Sequence, residues 1–364
     1  MKNLHLTVIL LASLAASCQP LLAGPVPGFV VGWGYNGTGA ATGVRTTNPP
    51  NMSNNATGVV TVAGGILTNA VAIAAGGSFA LALRSDGVPV FWGGPLAPAP
   101  AGSGTRNSES ASGEVEIGGQ VLSNVTAIAA GCMTSENFCL GLKRDGTVIA
   151  WGDNNYGRAS VPPGLSNVVA ITAGALQGLA LTRDGTLVSW GQGNPPPNWL
   201  SNVVAIAAGG ESGQNLALRR DGTVAEWPVL SAEYVSTVPA GLSNVVAIAT
   251  AGGARLALQA GGTVVGWGAN RYGQATGIPT PLFPSQSTGT VMIAGQVLTN
   301  VAAIAAGFEY SVAVKKDGTV VTWGHPLGMQ IAPPAGLSNV TAIAAGYDFC
   351  LAITTNTDWQ PRSR

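Results

Sequence analysis

Side chains able to carry acid-base, nucleophilic or metal chemistry are scarce in this chain and do not converge in sequence. There are two histidines in 364 residues. His5 falls in an apolar N-terminal stretch, so His325, in Trp323-Gly324-His325-Pro326, is the imidazole left to the mature protein. A Ser-His-Asp arrangement needs an imidazole held in one tautomer beside a nucleophile; a loop position predicts a solvated histidine instead. No His/Cys spacing fits a zinc site, and no Gly-x-Gly-x-x-Gly run stands between a strand and a helix to cradle phosphates. Five Asp-Gly pairs, at Asp86, Asp145, Asp184, Asp221 and Asp317, invite a calcium reading. Calcium takes six to eight oxygens within about 2.6 Å, which single carboxylates on separate repeats cannot supply. They read as turn formers, with Arg84, Arg144, Arg183, Arg220 and Lys316 as solvated neighbours. The sequence therefore predicts no catalytic residues, no metal and no cofactor.

Cysteines add two open alternatives. Cys139 and Cys350 share the register of Ala80, just ahead of a Leu-x-Leu or Leu-x-Ile core strand, and read as buried free thiols. Cys132 and Cys139 flank a long turn and could instead bridge in an oxidising compartment. Cys18 lies within the N-terminal segment, where Lys2 precedes an apolar run from Leu4 to Ala16 that is too short to span a bilayer. That segment reads as a bacterial-type export signal over residues 1–23, cleaved after Ala23. The rival is lipidation at Cys18, since Ala15-Ala16-Ser17-Cys18 resembles a lipoprotein box without its Leu. Either way the product is expected outside the cytoplasm: secreted, periplasmic or surface-held. No second apolar segment of membrane length follows.

The elements that would position any site come from a sevenfold repeat. Leu-Ser/Thr-Asn starts occur at Leu67, Leu122, Leu165, Leu200, Leu242, Leu298 and Leu337, each leading to an Ala-Gly or Ala-Thr-Ala-Gly turn, a core strand, an Asp-Gly-type turn and a further strand. The strands that follow the turns end at Trp33, Trp92, Trp151, Trp190, Trp227, Trp267 and Trp323. Trp33 precedes every start and the last start has no tryptophan, while Gly28-Phe29-Val30-Val31-Gly32-Trp33 matches Gly262-Thr263-Val264-Val265-Gly266-Trp267 in register. The two half-units complement each other. Repeats of this length with several strands indicate a β-propeller, here all-β and seven-bladed, with the N-terminal strand completing the last blade so that no sheet edge stays open. Residues 24–364 form one such domain. Three intervals between tryptophans are long and carry an extra alternating segment, Gly58–Val62, Gly113–Ile117 or Gly289–Ile293, expected to be a fourth, outer strand.

The phrases Trp151-Gly152-Asp153-Asn154-Asn155-Tyr156-Gly157-Arg158 and Trp267-Gly268-Ala269-Asn270-Arg271-Tyr272-Gly273-Gln274, with Ile73-Ala74-Ala75-Gly76 leading to Leu81-Ala82-Leu83, resemble the repeat of the regulator of chromosome condensation family. The resemblance implies a seven-bladed propeller closed by strands from both termini. Where that family has a His after the Ala-Gly turn, this chain has Phe79, Phe138, Gln177, Asn215 or Gln214, Ala254, Tyr310 and Phe349. Short Val-Pro crossings such as Val161 to Gly164 are most similar to secreted bacterial members that inhibit β-lactamases. Their contact positions carried over here are Ser78, Leu176, Glu309 and Asp348 in turns and Tyr156 and Tyr272 in loops, a set poor in aromatics. Nuclear members exchange guanine nucleotide or dock on chromatin, which an export signal and a net charge of zero oppose. With 9% charged residues and no basic excess, a nucleic-acid partner is not expected.

Strand direction puts the Ala-Gly turns and Trp-Gly loops on one rim. That rim gathers the residues in which the units differ: Tyr35, Met133, Tyr156, Leu176, Glu211, Tyr272, Phe308, Glu309, Tyr347 and Asp348. The expected function is a monomeric, non-catalytic binding module that uses this rim for a protein partner or, alternatively, a surface polysaccharide. Two other readings stand beside it: an envelope enzyme, for instance polysaccharide-active, with a site in the central channel or rim, and an envelope scaffold without a discrete ligand.

Overall fold

The computed structural model describes residues 27–45, 55–94, 112–131, 137–210, 214–229, 237–280, 286–325 and 332–359. Residues 1–23, read above as an export signal, with Cys18 and Ala23 among them, and Cys132, Met133 and Glu211 lie outside these residues. The described chain is all-β; its one helical element is a 3-10 turn at Asn155–Gly157, and no helix among the described residues is long and apolar enough to cross a membrane.

Each Leu-Ser/Thr-Asn start owes its Asn to backbone geometry. Asn69, Asn124, Asn167, Asn202, Asn244, Asn300 and Asn339 all hold φ between 52° and 59°, the left-handed region that asparagine tolerates better than other side chains. The turn this creates lets the asparagine carbonyl accept an N–H from the hairpin turn of the same unit, as in Arg183 to Asn167 and Arg220 to Asn202, both at 2.9 Å. An inner strand then follows, such as Ala70–Ala75 or Val168–Ala173, with a core strand returning and a third running out to the tryptophan. The Asp-Gly turns are three-residue hairpin loops with the glycine at positive φ. In them the Asp Oδ1 accepts the N–H two residues on, at 2.9 Å for Thr147, Thr223 and Thr319. Threonine hydroxyls donating to Asp145, Asp184, Asp221 and Asp317 hold these carboxyls below the usual range. Their role is in the turns, as expected.

The described residues form seven sheets of three or four strands and three two-stranded ladders. Consecutive sheets are tied by backbone hydrogen bonds from the first residue of one sheet to a turn glycine of the preceding one, as in Val125 to Gly87 (3.1 Å), Val168 to Gly146 (3.0 Å) and Val301 to Gly262 (3.0 Å). Ala70, which begins the sheet nearest the N-terminus, makes the same bond to Gly28 at 2.9 Å. Gly28 thus does the work of Gly262, as the register match implies. Phe29–Tyr35 lies between Phe349–Thr354 and Asn55–Val59, with Val31 opposite Ala352 and Trp33 opposite Cys350.

Seven hydrophobic clusters each contain one repeat tryptophan and draw on two neighbouring sheets. All seven indoles are buried. The cluster around Trp92 joins Ile73 and Ala82 to Leu351 and Ile353, so the sheet built from both termini packs on the sheet that starts at Ala70. The indole N–H groups of Trp92, Trp190 and Trp323 donate to the carbonyls of Ala40, Arg158 and Gln274 at 2.8–3.0 Å. A buried indole N–H is stabilised by such a partner, and these bonds pin a Trp-Gly loop of one sheet over the tryptophan of the next, while Trp151 and Trp227 bury theirs without one.

The added segments differ in detail from the expectation. Each splits at a buried valine, Val60, Val115 or Val291. The first part, Asn55–Val59, Gly113–Glu114 or Gln286–Thr290, is the fourth strand of its sheet, while the second pairs in a separate ladder with Gly65–Ile66, Gln120–Val121 or Gln296–Val297. The buried valine turns the chain inward to fill the gap beneath the next sheet, which a single continuous strand would leave open.

Candidate functional site

The rim is built from tips closed by glycine, two residues long in four of the five that follow and longer between Gly131 and Phe138. In the Ala-Gly turns the N–H of Gly76, Gly131, Gly174, Gly307 and Gly346 donates at 2.9 Å to the carbonyl of Phe79, Phe138, Gln177, Tyr310 and Phe349 respectively. At four of these the aromatic ring lies across the glycine: a Cβ on Gly307 would stand 2.3 Å from the Tyr310 ring. Glycine is required there by packing. The family histidine position is thus a rim-supporting ring in four sheets, and the pairing of Gln214 with Pro228, matching Phe79 with Gly93, assigns that position to Gln214 rather than Asn215.

A second set of bonds fixes each loop to its neighbouring tip. The residue after Trp-Gly donates its N–H to the last tip residue: Tyr35 to Asp348 (2.8 Å), Asp153 to Asn137 (2.8 Å), Gln192 to Leu176 (3.0 Å), Ala269 to Gly253 (2.9 Å) and His325 to Glu309 (3.0 Å). Buried asparagines hold the loops from within. Asn36 accepts from Ala41 and Thr42, and Asn270 accepts from Ala275 and Thr276, all at 2.9–3.0 Å.

On this frame Tyr35, Tyr156 and Phe308 are exposed at 39%, 53% and 37%, and Tyr272, Glu309, Tyr347 and Asp348 are partly exposed. Leu176 departs from its expected role as a contact. Its side chain is buried, and it takes part in the rim through its carbonyl. Tyr156 holds φ +68°, a conformation rare for a bulky residue, with the Arg158 guanidinium 5.9 Å from its ring. Arg158 is itself buried, paired with Asp153 and donating to the carbonyl of Ala175 at 2.8 Å.

One sector concentrates the chemistry. Phe308 and Tyr347 stack at 4.1 Å with their planes 16° apart. His325 meets the Tyr272 ring edge-on at 4.3 Å and places Nε2 3.7 Å from Glu309 Oε2. It is therefore no solvated loop histidine: its side chain is 12% exposed, because the Trp-Gly loop of one sheet is folded against the tip of its own sheet and the aromatic loop of the preceding one. Burial raises the Asp348 carboxyl to about 6, reinforced by the charge of Glu309 and opposed by His325. Beside it, Tyr35 and Thr38 from the N-terminal loop, Gly77 and Ser78 from the first tip, and Tyr347, Asp348 and Phe349 from the last tip line a cavity of about 260 Å³. His325 and the cavity are what sequence reasoning missed on this rim. The only signal was that Ser78 and Asp348 occupy equivalent tip positions in the first and last units, with Tyr35 following the Trp-Gly that completes the last unit.

Other chemistry-bearing groups are internal. Cys139 and Cys350 are buried free thiols, and burial raises both, Cys350 to about 12; the proposed bridge to Cys132 involves a residue outside the description. Glu226 and Arg255 form a buried pair at 3.1 Å, with the Trp267 indole donating to Glu226 at 3.0 Å. Trp199, which lies outside the repeat register, is 61% exposed beneath the Arg219 guanidinium at 5.2 Å. Among the described residues no group of three or more His, Cys, Asp or Glu could hold a metal ion.

The family described as the regulator of chromosome condensation (RCC1) repeat matches residues 125–158. No curated protein matches the chain in sequence. Similar solved structures include Prp20p of Saccharomyces cerevisiae, described with its binding properties to Gsp1p and histones, at 18% identity and TM-score 0.65, covering 91% of this chain and 92% of that one. Human WBSCR16 is similar at 17% identity and TM-score 0.60, covering 90% and 100%. The ectodomain of the Physcomitrella patens receptor kinase CR4 is similar at 18% identity and TM-score 0.53, covering 86% and 77%. At these identities the likeness is one of fold: a β-propeller with repeats of the RCC1 type.

Proposed function

We propose that residues 24–364 form an exported, seven-bladed propeller closed by the N-terminal strand, acting as a monomeric, non-catalytic module that binds a protein partner through the Ala-Gly/Trp-Gly rim. Closure is supported by the Ala70 to Gly28 bond and by the cluster that joins Ile73 to Leu351. The observation that carries the function is the gathering of Tyr35, Tyr156, Tyr272, Phe308 and Tyr347 on one rim whose tips are locked by hydrogen bonds. Pre-ordered aromatics lose little conformational freedom on association and make strong anchors. Protein partners of the structural relatives, Gsp1p and histones for Prp20p, lend the class of partner without its identity. The tips matching the contact positions of the β-lactamase inhibitors carry Ser78 and a buried Leu176, so a different partner is proposed. Polysaccharide remains the alternative ligand.

The test is capture of secreted and envelope proteins by the mature chain and by Tyr156→Ala/Tyr272→Ala/Phe308→Ala. A protein retained by the first and lost by the second supports the reading; equal recovery overturns it. A second reading, an envelope enzyme, is favoured by one observation: an Asp348 carboxyl raised to about 6 next to Glu309 and His325, the environment of a general acid. Release of reducing ends from envelope polysaccharides by the wild type, abolished by Asp348→Asn, would establish that reading over the first.

A further inference from the structure

The cavity between the last tip, the first tip and the N-terminal loop has a size and a charge that specify its occupant. At about 260 Å³ it is below the roughly 300–1,000 Å³ of sites that enclose whole small molecules, and so is scaled to one side chain. Tyr35, Tyr347 and Asp348 are among the residues that line it, and Glu309 is close enough to raise the Asp348 carboxyl further. Aromatic side chains beside a partly desolvated carboxylate attract a cation and offer little to an anion. Half of the 16 Lys and Arg residues, Arg84, Lys143, Arg144, Arg183, Arg219, Arg220, Lys315 and Lys316, lie at the Asp-Gly turns on the opposite edge, beside the carboxylates of Asp86, Asp145, Asp184, Asp221 and Asp317. Two arginines of the rim loops are engaged locally: Arg45 donates to the carbonyl of Gly37 at 2.9 Å, and Arg271 lies over the Tyr272 ring.

We propose that this cavity takes the cationic end of a lysine or arginine side chain from a loop of the protein partner. The proposal rests on the rim-binding reading and deepens it by naming the recognised group. Seated there, the ammonium or guanidinium faces Asp348 while its methylenes lie against Tyr35 and Tyr347, so that charge and stem are both used. Ser78 and Thr38, at the same cavity, supply hydroxyl acceptors for the remaining N–H groups.

The experiment follows the Tyr35 and Tyr347 ring resonances by NMR while the full mature chain is titrated with the methylamides of Nα-acetyl-lysine, Nα-acetyl-arginine and Nα-acetyl-norleucine. Saturable shifts with the two cationic probes and none with norleucine are expected. Asp348→Asn should weaken the cationic probes at least tenfold, and Ser78→Lys, which sets a cation of the chain's own at the cavity, should abolish their binding. Between pH 8 and pH 5 the wild type should weaken at least threefold as Asp348 takes up a proton. Glu309 and His325 are the other titratable groups facing Asp348, and the dependence should persist in His325→Gln. Norleucine binding as well as lysine, or cationic probes binding Asp348→Asn and Ser78→Lys unchanged, overturns the proposal. The capture test alters none of Tyr35, Ser78, Tyr347 and Asp348, so a partner lost with the triple variant while the probes fail to bind would remove this inference and leave the rim reading standing.

Discussion

The backbone N–H of Tyr35 donates to the carbonyl of Asp348 at 2.8 Å, joining the end of the first strand to the last rim tip. This bond extends the ladder between Phe29–Tyr35 and Phe349–Thr354, and both of its residues line the cavity. Stability of the whole and shape of the site therefore share a seam.

If that seam is structural, crowding it should be costly. A Cβ on Gly32 would stand 1.7 Å from the Ala41 carbonyl oxygen, whereas one on Gly58 meets nothing closer than 3.8 Å. Gly32→Ala is expected to destabilise by about 1–3 kcal/mol, read as a lower urea midpoint, and Gly58→Ala to leave the midpoint nearly in place. Equal midpoints would show that the N-terminal strand is not held as described.

Tyr156 carries strain that packing does not demand. An L-residue in the left-handed region costs roughly 1–2 kcal/mol, while glycine adopts it freely at an entropic cost of about 0.5–1 kcal/mol. Tyr156→Gly should be unchanged in stability or up to about 1 kcal/mol more stable by thermal melting, and should capture less partner. Stability lost together with a full capture signal would contradict a binding role for this ring.

Asp348 gives a pH dependence of definite sign. Its carboxyl is raised in the fold from 3.8 to about 6, so the folded state resists ionisation and bears a cost that is absent below about pH 4 and complete above about pH 6. Asp348→Asn should match the wild type at pH 4 and exceed it at pH 8 by about 1–2 kcal/mol, a figure reduced from the full linkage value because the group is partly solvated. Chemical denaturation at both values measures it; a variant less stable at pH 8 would reverse the argument.

Burial raises the Glu226 carboxyl and lowers the Arg255 guanidinium, in each case against the attraction of the partner. The pair is thus expected to set geometry more than to stabilise. Glu226→Leu alone should cost about 3–5 kcal/mol by stranding a buried cation, and the double change with Arg255→Met should recover most of it. Urea unfolding of the single and double variants checks this, with an additive double loss as the contrary result.

Both buried thiols should stay silent to an aqueous thiol reagent in the native protein and react on unfolding, because burial holds Cys139 and Cys350 as neutral SH groups. Native reactivity at either would show that its sheet opens.

Much of the architecture was already present in residue order. The repeated Leu-Ser/Thr-Asn, Ala-Gly, Asp-Gly and Trp-Gly phrases encode local conformations: an asparagine at positive φ, a glycine that a ring can cross, a turn capped by a carboxylate. Such choices depend on a few neighbouring residues and can be read in line. The match of Gly28 to Gly262 even placed the N-terminal strand, because hairpin register follows from the alternation of side chains. What only the tertiary structure decided lies between repeats. Whether Leu176 faces solvent, whether His325 is wet or packed on Tyr272 and Glu309, and whether Tyr35, Ser78 and Asp348 share a cavity each depend on how one sheet is rotated against the next. That rotation is set by the packing of seven indole-centred clusters, a sum of many weak contacts that no short stretch of sequence displays.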